Sequence, residues 1–411
     1  MNSFKTTSRK LAIGSIYTFS FTIGSFPFVA SVAFVLFLLF NVLSVFMNKT
    51  EKRSKSFFHY VPVWGVFILF AIGFFYAINL DYGLKVLIRS LALLLVPLVF
   101  WLRNGISNEI YIKTKHYFIK GIAFVCLLGL LFASINYFHH GDLSAFFYFN
   151  FSTPLHHHPT FISIYILTAL VFLFEDKKIK QKIKMLLMLF FILMILLLQS
   201  RTGLIALALI LVIYSIKLKS IRKQLVLVLG VFILTIFFSS NLKQRIGNMT
   251  SIYSQTQDIG TFDEDGVNQR TWLWENGFDQ IKKRIIFGYG LGSQKTLFHW
   301  QIEKQLLENE YNPTYQIAAK NLSKLGLHNQ YLQLWYEQGI IGVFGFMVLV
   351  GIFVKKLYSA KQYYQILILI ILLIFLIPEN FFASQKGIYY FSFIFSLFLS
   401  KYSNNFPYSS R

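Results

Sequence analysis

Twelve stretches of 14 to 24 predominantly apolar residues recur along this chain, and such segments leave few options for folding. A helix needs roughly 20 apolar residues to cross about 30 Å of hydrocarbon with its backbone groups paired internally. The stretches are 11–26, 28–46, 61–79, 84–102, 117–137, 158–174, 185–199, 203–216, 225–240, 331–354, 363–378 and 386–400. Composition agrees: 55% of the 411 residues are hydrophobic and only 14% charged, against about a quarter charged in a soluble domain. A water-soluble core could not hide so much apolar surface. The fold class expected is therefore an all-α polytopic membrane protein of about twelve transmembrane helices. Lys5, Arg9 and Lys10 precede the first stretch, which lacks a small-residue cleavage site and reads as an uncleaved anchor.

The net charge of +22 would suggest nucleic acid in a soluble protein, but the placement of the charges argues otherwise. With the N-terminus in the cytoplasm, the inner segments hold 24 of the 39 Lys and Arg residues. Two short outer loops hold only Arg201 and Lys386, the long outer loop 241–330 holds ten, and Lys85, Arg89 and Lys120 fall within spans. Four acids lie inside and twelve outside, with Glu337 within a span. This is the positive-inside pattern, and it places both termini in the cytoplasm. Basic runs such as 177–184 are explained by topology, and nucleic acid is not an expected partner. The single cysteine, Cys126, excludes an intrachain disulfide. Residues 1–240 would form spans one to nine, 241–330 an outer module, and 331–411 spans ten to twelve.

Ionisable groups in or beside a membrane are costly and mark function. Arg201, in 199-QSRTGLIAL-207, sits in a tight outer turn with the next helix's N-terminal amides nearby, a combination that attracts phosphate. In 270-RTWLWENGFDQIKKR-284, helical spacing puts Arg270, Trp274 and Phe278 on one face. His328 opens 328-HNQYLQLWYEQGIIG-342, where a helix N-terminus and nearby arginines favour the neutral imidazole a general base needs. Glu337 lies roughly 13 Å deeper and must face protein or a cavity. Arg89, inside the fourth span, needs a carboxylate or a ligand phosphate. Adjacent His156, His157 and His158 cannot all aim at one ion, and no Cys or acid has zinc-site spacing. The turn 288-GYGLGS-293 lacks the preceding strand of a dinucleotide site. No cofactor or metal is expected. An outward-facing cationic cavity with one base suits a membrane-borne diphosphate, and an exporter of an anionic lipid fits as well.

The stretch 328-HNQYLQLWYEQGIIGVFGF-346 resembles the HNxYLxxLxExGxxGxxxF signature of the O-antigen ligase and polymerase superfamily, through His328, Asn329, Tyr331, Leu332, Leu334, Glu337, Gly339, Gly342 and Phe346. The turn 200-SRTGL-204 is similar to that family's SRT/SRG turn, and 270-RTWLW with 288-GYGLG-292 resembles its Arg–Trp–GxGxG stretch. The motifs follow the family's order over about 158–380. The resemblance implies a GT-C-like architecture with one long periplasmic loop between spans nine and ten, in a bacterial inner membrane. It implies an inverting, metal-independent glycosyltransferase using an undecaprenyl-diphosphate-linked glycan on the periplasmic side. Arg201 and Arg270 would grip the pyrophosphate, and His328 would take the acceptor's proton. Arg89, Asn329, Tyr331 and Glu337 are further candidates for holding pyrophosphate or glycan.

The acceptor separates the alternatives. A ligase transfers the glycan to lipid A-core, a polymerase to another lipid-linked repeat, and a protein O-oligosaccharyltransferase to a protein. One long outer loop, against about 20 residues at 138–157, favours the ligase. A lipid-linked glycan transporter would show internal repeats and broken midplane helices, and no repeat is visible.

Overall fold

A computed structural model describes residues 2–48, 56–217, 230, 267–308 and 326–401. The expected ninth span, 225–240 apart from residue 230, and the loop parts 241–266 and 309–325 lie outside the described residues. Among the described residues every regular element is helical. In chain order these are α1 (Asn2–Thr22), α2 (Pro27–Met47), α3 (Val61–Phe74), α4 (Leu80–Arg89), α5 (Ala92–Leu102), α6 (Asn108–His140), α7 (Tyr148–Ser152) and α8 (Pro159–Glu175). They continue with α9 (Gln181–Leu198), α10 (Arg201–Lys217), α11 (Val267–Ile281), α12 (Ser293–Glu308), α13 (Gln330–Ser359), α14 (Tyr363–Phe375) and α15 (Gln385–Lys401).

Six of these stretches are long and apolar enough to cross a membrane, and a seventh if α7 and α8, bent by 83°, count as one. The twelve expected are not all matched in length: α10 has 17 residues and α14 only 13. The expected span 84–102 is interrupted at Ser90–Leu91, between α4 and α5. Within α13 the helix breaks at Gly339.

Two helices form the axis. From Pro159 to Phe174 every residue of α8 is buried, as is every residue of α15 from Gly387 to Ser400. A helix apolar all round belongs inside a bundle. Around them, α2, α9 and α13 turn Phe28, Leu186 and Phe344 outward, each more than two-thirds exposed. Apolar side chains in such numbers on an outer surface fit a bilayer. The bundle has two recognisable ends. At one, the His157 ring donates from Nε2 to Ser25 O just beyond α1 (2.8 Å), and Arg89 Nη1 donates to Ala383 O (2.6 Å). At the other, Lys115 pairs with Glu175 (3.0 Å) among the basic segments.

Candidate active site

The first end carries the titratable groups, and each is aimed by a local backbone device. His158 is the N-cap of α8: its Nδ1 accepts from Thr160 N (3.3 Å), which requires that nitrogen to be unprotonated. His328 sits at φ +45, a left-handed conformation that His tolerates better than most residues. It precedes Asn329, whose Oδ1 accepts from Tyr331 N (2.9 Å) and Leu332 N (3.0 Å) to start α13. Arg270 lies in the first turn of α11. On the same face, Trp274 Nε1 donates to Leu327 O (2.8 Å), and Phe278 meets the Trp335 ring edge-on at 6.0 Å. The shared face read from spacing therefore packs as one unit against the start of α13.

These three basic groups converge on Glu379, in the turn between α14 and α15. Its Oε1 is 3.4 Å from His158 Nδ1 and 3.6 Å from Arg270 Nη2, and its Oε2 is 4.0 Å from His328 Nδ1. The carboxylate is only 8% exposed. Burial works against its charge, but His328, His158 and Arg270 more than offset that, so its pKa lies below the ordinary carboxylate value. His158 is held below the ordinary imidazole value by burial, with Glu379 pulling the other way. The separations exceed good hydrogen-bond lengths, and Glu379 Oε1 has no donor among the described residues. The cluster is a charge pocket in which Oε2 of Glu379 faces His328 and Oε1 is without a direct donor among the described residues.

The turn bearing Glu379 is itself fixed from two sides. Gln330 Oε1 accepts from Phe382 N (2.8 Å), and Gln330 N donates to Leu376 O (2.9 Å). Arg89, read as a partner for an anion, spends Nη1 on Ala383 O of the same turn. Arg201 opens α10 after Gln199 in a left-handed conformation (φ +47), with Ser200 Oγ accepting from Gly203 N (3.3 Å). Gly203 lies against Ser163 of α8, so Arg201 starts its helix beside the first turns of α8, the helix that His158 caps.

The other candidates serve the frame. Tyr331 Oη donates to Leu373 O (2.9 Å), tying α13 to α14. Glu337 is buried and accepts from Gln333 Nε2 (3.3 Å) and from the Gly292 and Gln294 amides. The GYGLGS turn is thus a packing device: Gly290 N donates to Glu337 O (2.7 Å) and Tyr289 N to Tyr336 O (2.9 Å). The opening it enters is the break at Gly339 (φ +67, ψ −172), where Ile340 N donates to Ile285 O (2.8 Å). Sequence reasoning missed Glu379. Its signal is a lone acid in 376-LIPENFF-382 between two apolar runs, but nothing in the spacing links it to His328.

Next to the cluster, His157 is buried, and burial pushes its pKa down to about 3. An imidazole lowered from its ordinary value stabilises the fold fully above about pH 6.5, and that contribution is lost as pH falls toward 3. Thermal stability is expected to drop on acidification below pH 6.5 by up to about 1.4 kcal/mol per pH unit. The His157→Gln variant is expected to flatten that slope. Melting curves of both proteins from pH 7.5 to 5 measure it, and equal slopes would contradict the assignment.

Residues 186–347 match the model of a family described as O-antigen ligase. The matched stretch runs from α9 into α13, includes Arg201, Arg270 and His328, and ends before Glu379. A curated Haemophilus influenzae protein described as uncharacterized is 30% identical over 78 residues, 19% of this chain and 17% of its own length. The chain thus aligns with about a sixth of that relative. Over residues 186–347 the chain is thus similar to the O-antigen ligase family, and its described residues are helical, with six stretches long and apolar enough to cross a membrane.

Proposed function

We propose that the protein is an O-antigen ligase-type glycosyltransferase, moving an undecaprenyl-diphosphate-linked glycan to a hydroxyl of lipid A-core at the periplasmic face. The observation that carries this reading is the convergence of His328 and Arg270, both in the stretch similar to a family described as O-antigen ligase, on one buried carboxylate at one end of the bundle. His328 Nδ1 faces Glu379, which leaves Nε2 to take a proton from the acceptor hydroxyl. The freed oxygen attacks the anomeric carbon from the side opposite the diphosphate. The carbon–oxygen bond to the diphosphate breaks, and its electron pair leaves with the carrier. Arg201 and Arg270 offset the charge on that leaving group. Glu379 is a positioning residue: it faces Nδ1 and orients the imidazole.

Asn329 and Tyr331 support the site through the start of α13, and Arg89 through the turn of Glu379. The compact connection between α6 and α8, filled by α7 and two short 3₁₀ turns, fits a protein with one large outer module and favours the ligase over a polymerase. The test is the surface glycolipid of a strain lacking this gene. Core lipid without repeats, alongside accumulating carrier-linked polymer, is expected. Core bearing a single repeat would make the protein a polymerase, and an unchanged ladder would move the acceptor to another glycan or to a protein.

A further inference from the structure

The opposite end of the bundle holds a second basic cavity. Arg9 is in the first turns of α1 and Arg103 follows the last residue of α5, while Ser107 caps the start of α6. The far ends of α1 and α6 lead to Ser25 and to the 141–158 connection at the catalytic end, so this cavity lies a full bundle length away. It has a volume of about 450 Å³ and is lined by Arg9, Ser44, Asn48, Arg103, Asn104 and Ser107 among others, with no carboxylate among the described residues of its wall.

Arg103 is the unusual member. Its Nη1 donates to Asn41 Oδ1 (2.8 Å), a neutral amide held in place by its own bonds to Phe37 O (2.7 Å) and Ser15 Oγ (3.1 Å). Its Nε is buried and meets no acceptor among the described residues. Burial, and then the like charge of Arg9, pull its pKa down to about 10. A largely buried guanidinium normally has a carboxylate or phosphate opposite it. The first turn of the 33-residue α6 adds the positive end of a helix dipole to the same wall.

We propose that this cavity binds a phosphate ester of net negative charge through Arg103 and Arg9, the two guanidinium groups suiting an anionic phosphodiester headgroup, with no cation of its own, at the basic face of the membrane. The bound phosphate gives the buried Nε of Arg103 its acceptor. It also adds a bridge between Arg9 of α1 and the α5–α6 junction, beside the bond from Arg103 to Asn41 of α2. A soluble phosphate ester presents the same chemistry, and the test distinguishes the two sources.

The full chain, purified in a neutral detergent, is titrated with phosphatidylglycerol, with phosphatidylcholine and with glycerol 3-phosphate. Lipid adducts are counted by native mass spectrometry and thermal unfolding is followed in parallel. Phosphatidylglycerol is expected to bind at one saturable site and raise the melting temperature, with affinity at least tenfold weaker in Arg103→Gln. Arg9→Gln, at an exposed position with no hydrogen bond to another helix among the described residues, is expected to weaken binding several-fold without altering the fold, and serves if Arg103→Gln does not fold. A response to glycerol 3-phosphate equal to that of the lipid would identify the soluble ester as the ligand class. Equal stabilisation by phosphatidylcholine and phosphatidylglycerol, or adducts unaffected by Arg9→Gln and Arg103→Gln, would overturn the proposal. Glycan transfer is not the readout, so failure here leaves the catalytic reading untouched.

Discussion

Replacing His328 with alanine is expected to lower glycan transfer by about 10²- to 10⁴-fold, the range for losing a general base, with insertion and expression unchanged. The fold does not depend on its ring, because Asn329, not His328, caps α13. The companion variant Glu379→Gln keeps the shape and removes the charge. Transfer is then expected to fall through kcat, with KM for the donor and the melting temperature little changed, because the imidazole loses the carboxylate that orients it. That split separates positioning from bulk stability, since a merely structural role for Glu379 would lower the melting temperature together with activity. In vitro transfer from purified donor, with thermal unfolding alongside, measures both. Full activity in His328→Ala would remove the base assignment, and an unchanged kcat in Glu379→Gln would remove the positioning role.

The Gly339→Ala variant is expected to lose about 3 kcal/mol or more of stability. Strain from a side chain at that positive φ contributes, and so does overpacking. An added Cβ there would stand 1.9 Å from Ile286 O, a backbone atom that cannot turn aside. The turn 285–292 would be expelled from the break in α13, taking with it the amides that meet Glu337. Gly351→Ala is the control on the same helix: nothing lies within 4 Å of its added Cβ, and alanine is the better helix former. Thermal unfolding in detergent compares the two, and limited proteolysis across 282–294 reports the expelled turn. Equal melting temperatures would show that the interlock contributes nothing.

Which parts of this structure were legible in the sequence follows from the range of the physics. Helices were legible because apolar runs act locally, and α6 and α8 enclose or closely follow the stretches 117–137 and 158–174. Arg270 was legible as part of a face because residues four apart touch on a helix. His328 was legible because a helix start follows it directly. Glu379 was not, since its role depends on contacts with residues 51, 109 and 221 positions away in the chain, and no local pattern encodes those. The role of Glu337 was half legible: its burial followed from its depth, but its partners, Gln333 and the backbone amides of a distant turn, did not. The interruption between α4 and α5 escaped hydropathy because Ser90 and Leu91 keep the run apolar enough to pass as one span.

The order of residues around the carboxylate sets an order of assembly. His158, Arg270 and His328 are all made before Glu379, and the turn that presents Glu379 is held by Gln330 and lies between α14 and α15. During synthesis the basic groups therefore enter the membrane without the anion that gathers them. Only when the last two helices are in place does α15 bring its buried length against α5 and α3 and complete the axis. The charge pocket is therefore a late element of the fold: its three basic groups wait on a carboxylate that the chain supplies only after α14, so the proposed chemistry depends on a segment made after every residue of the matched stretch.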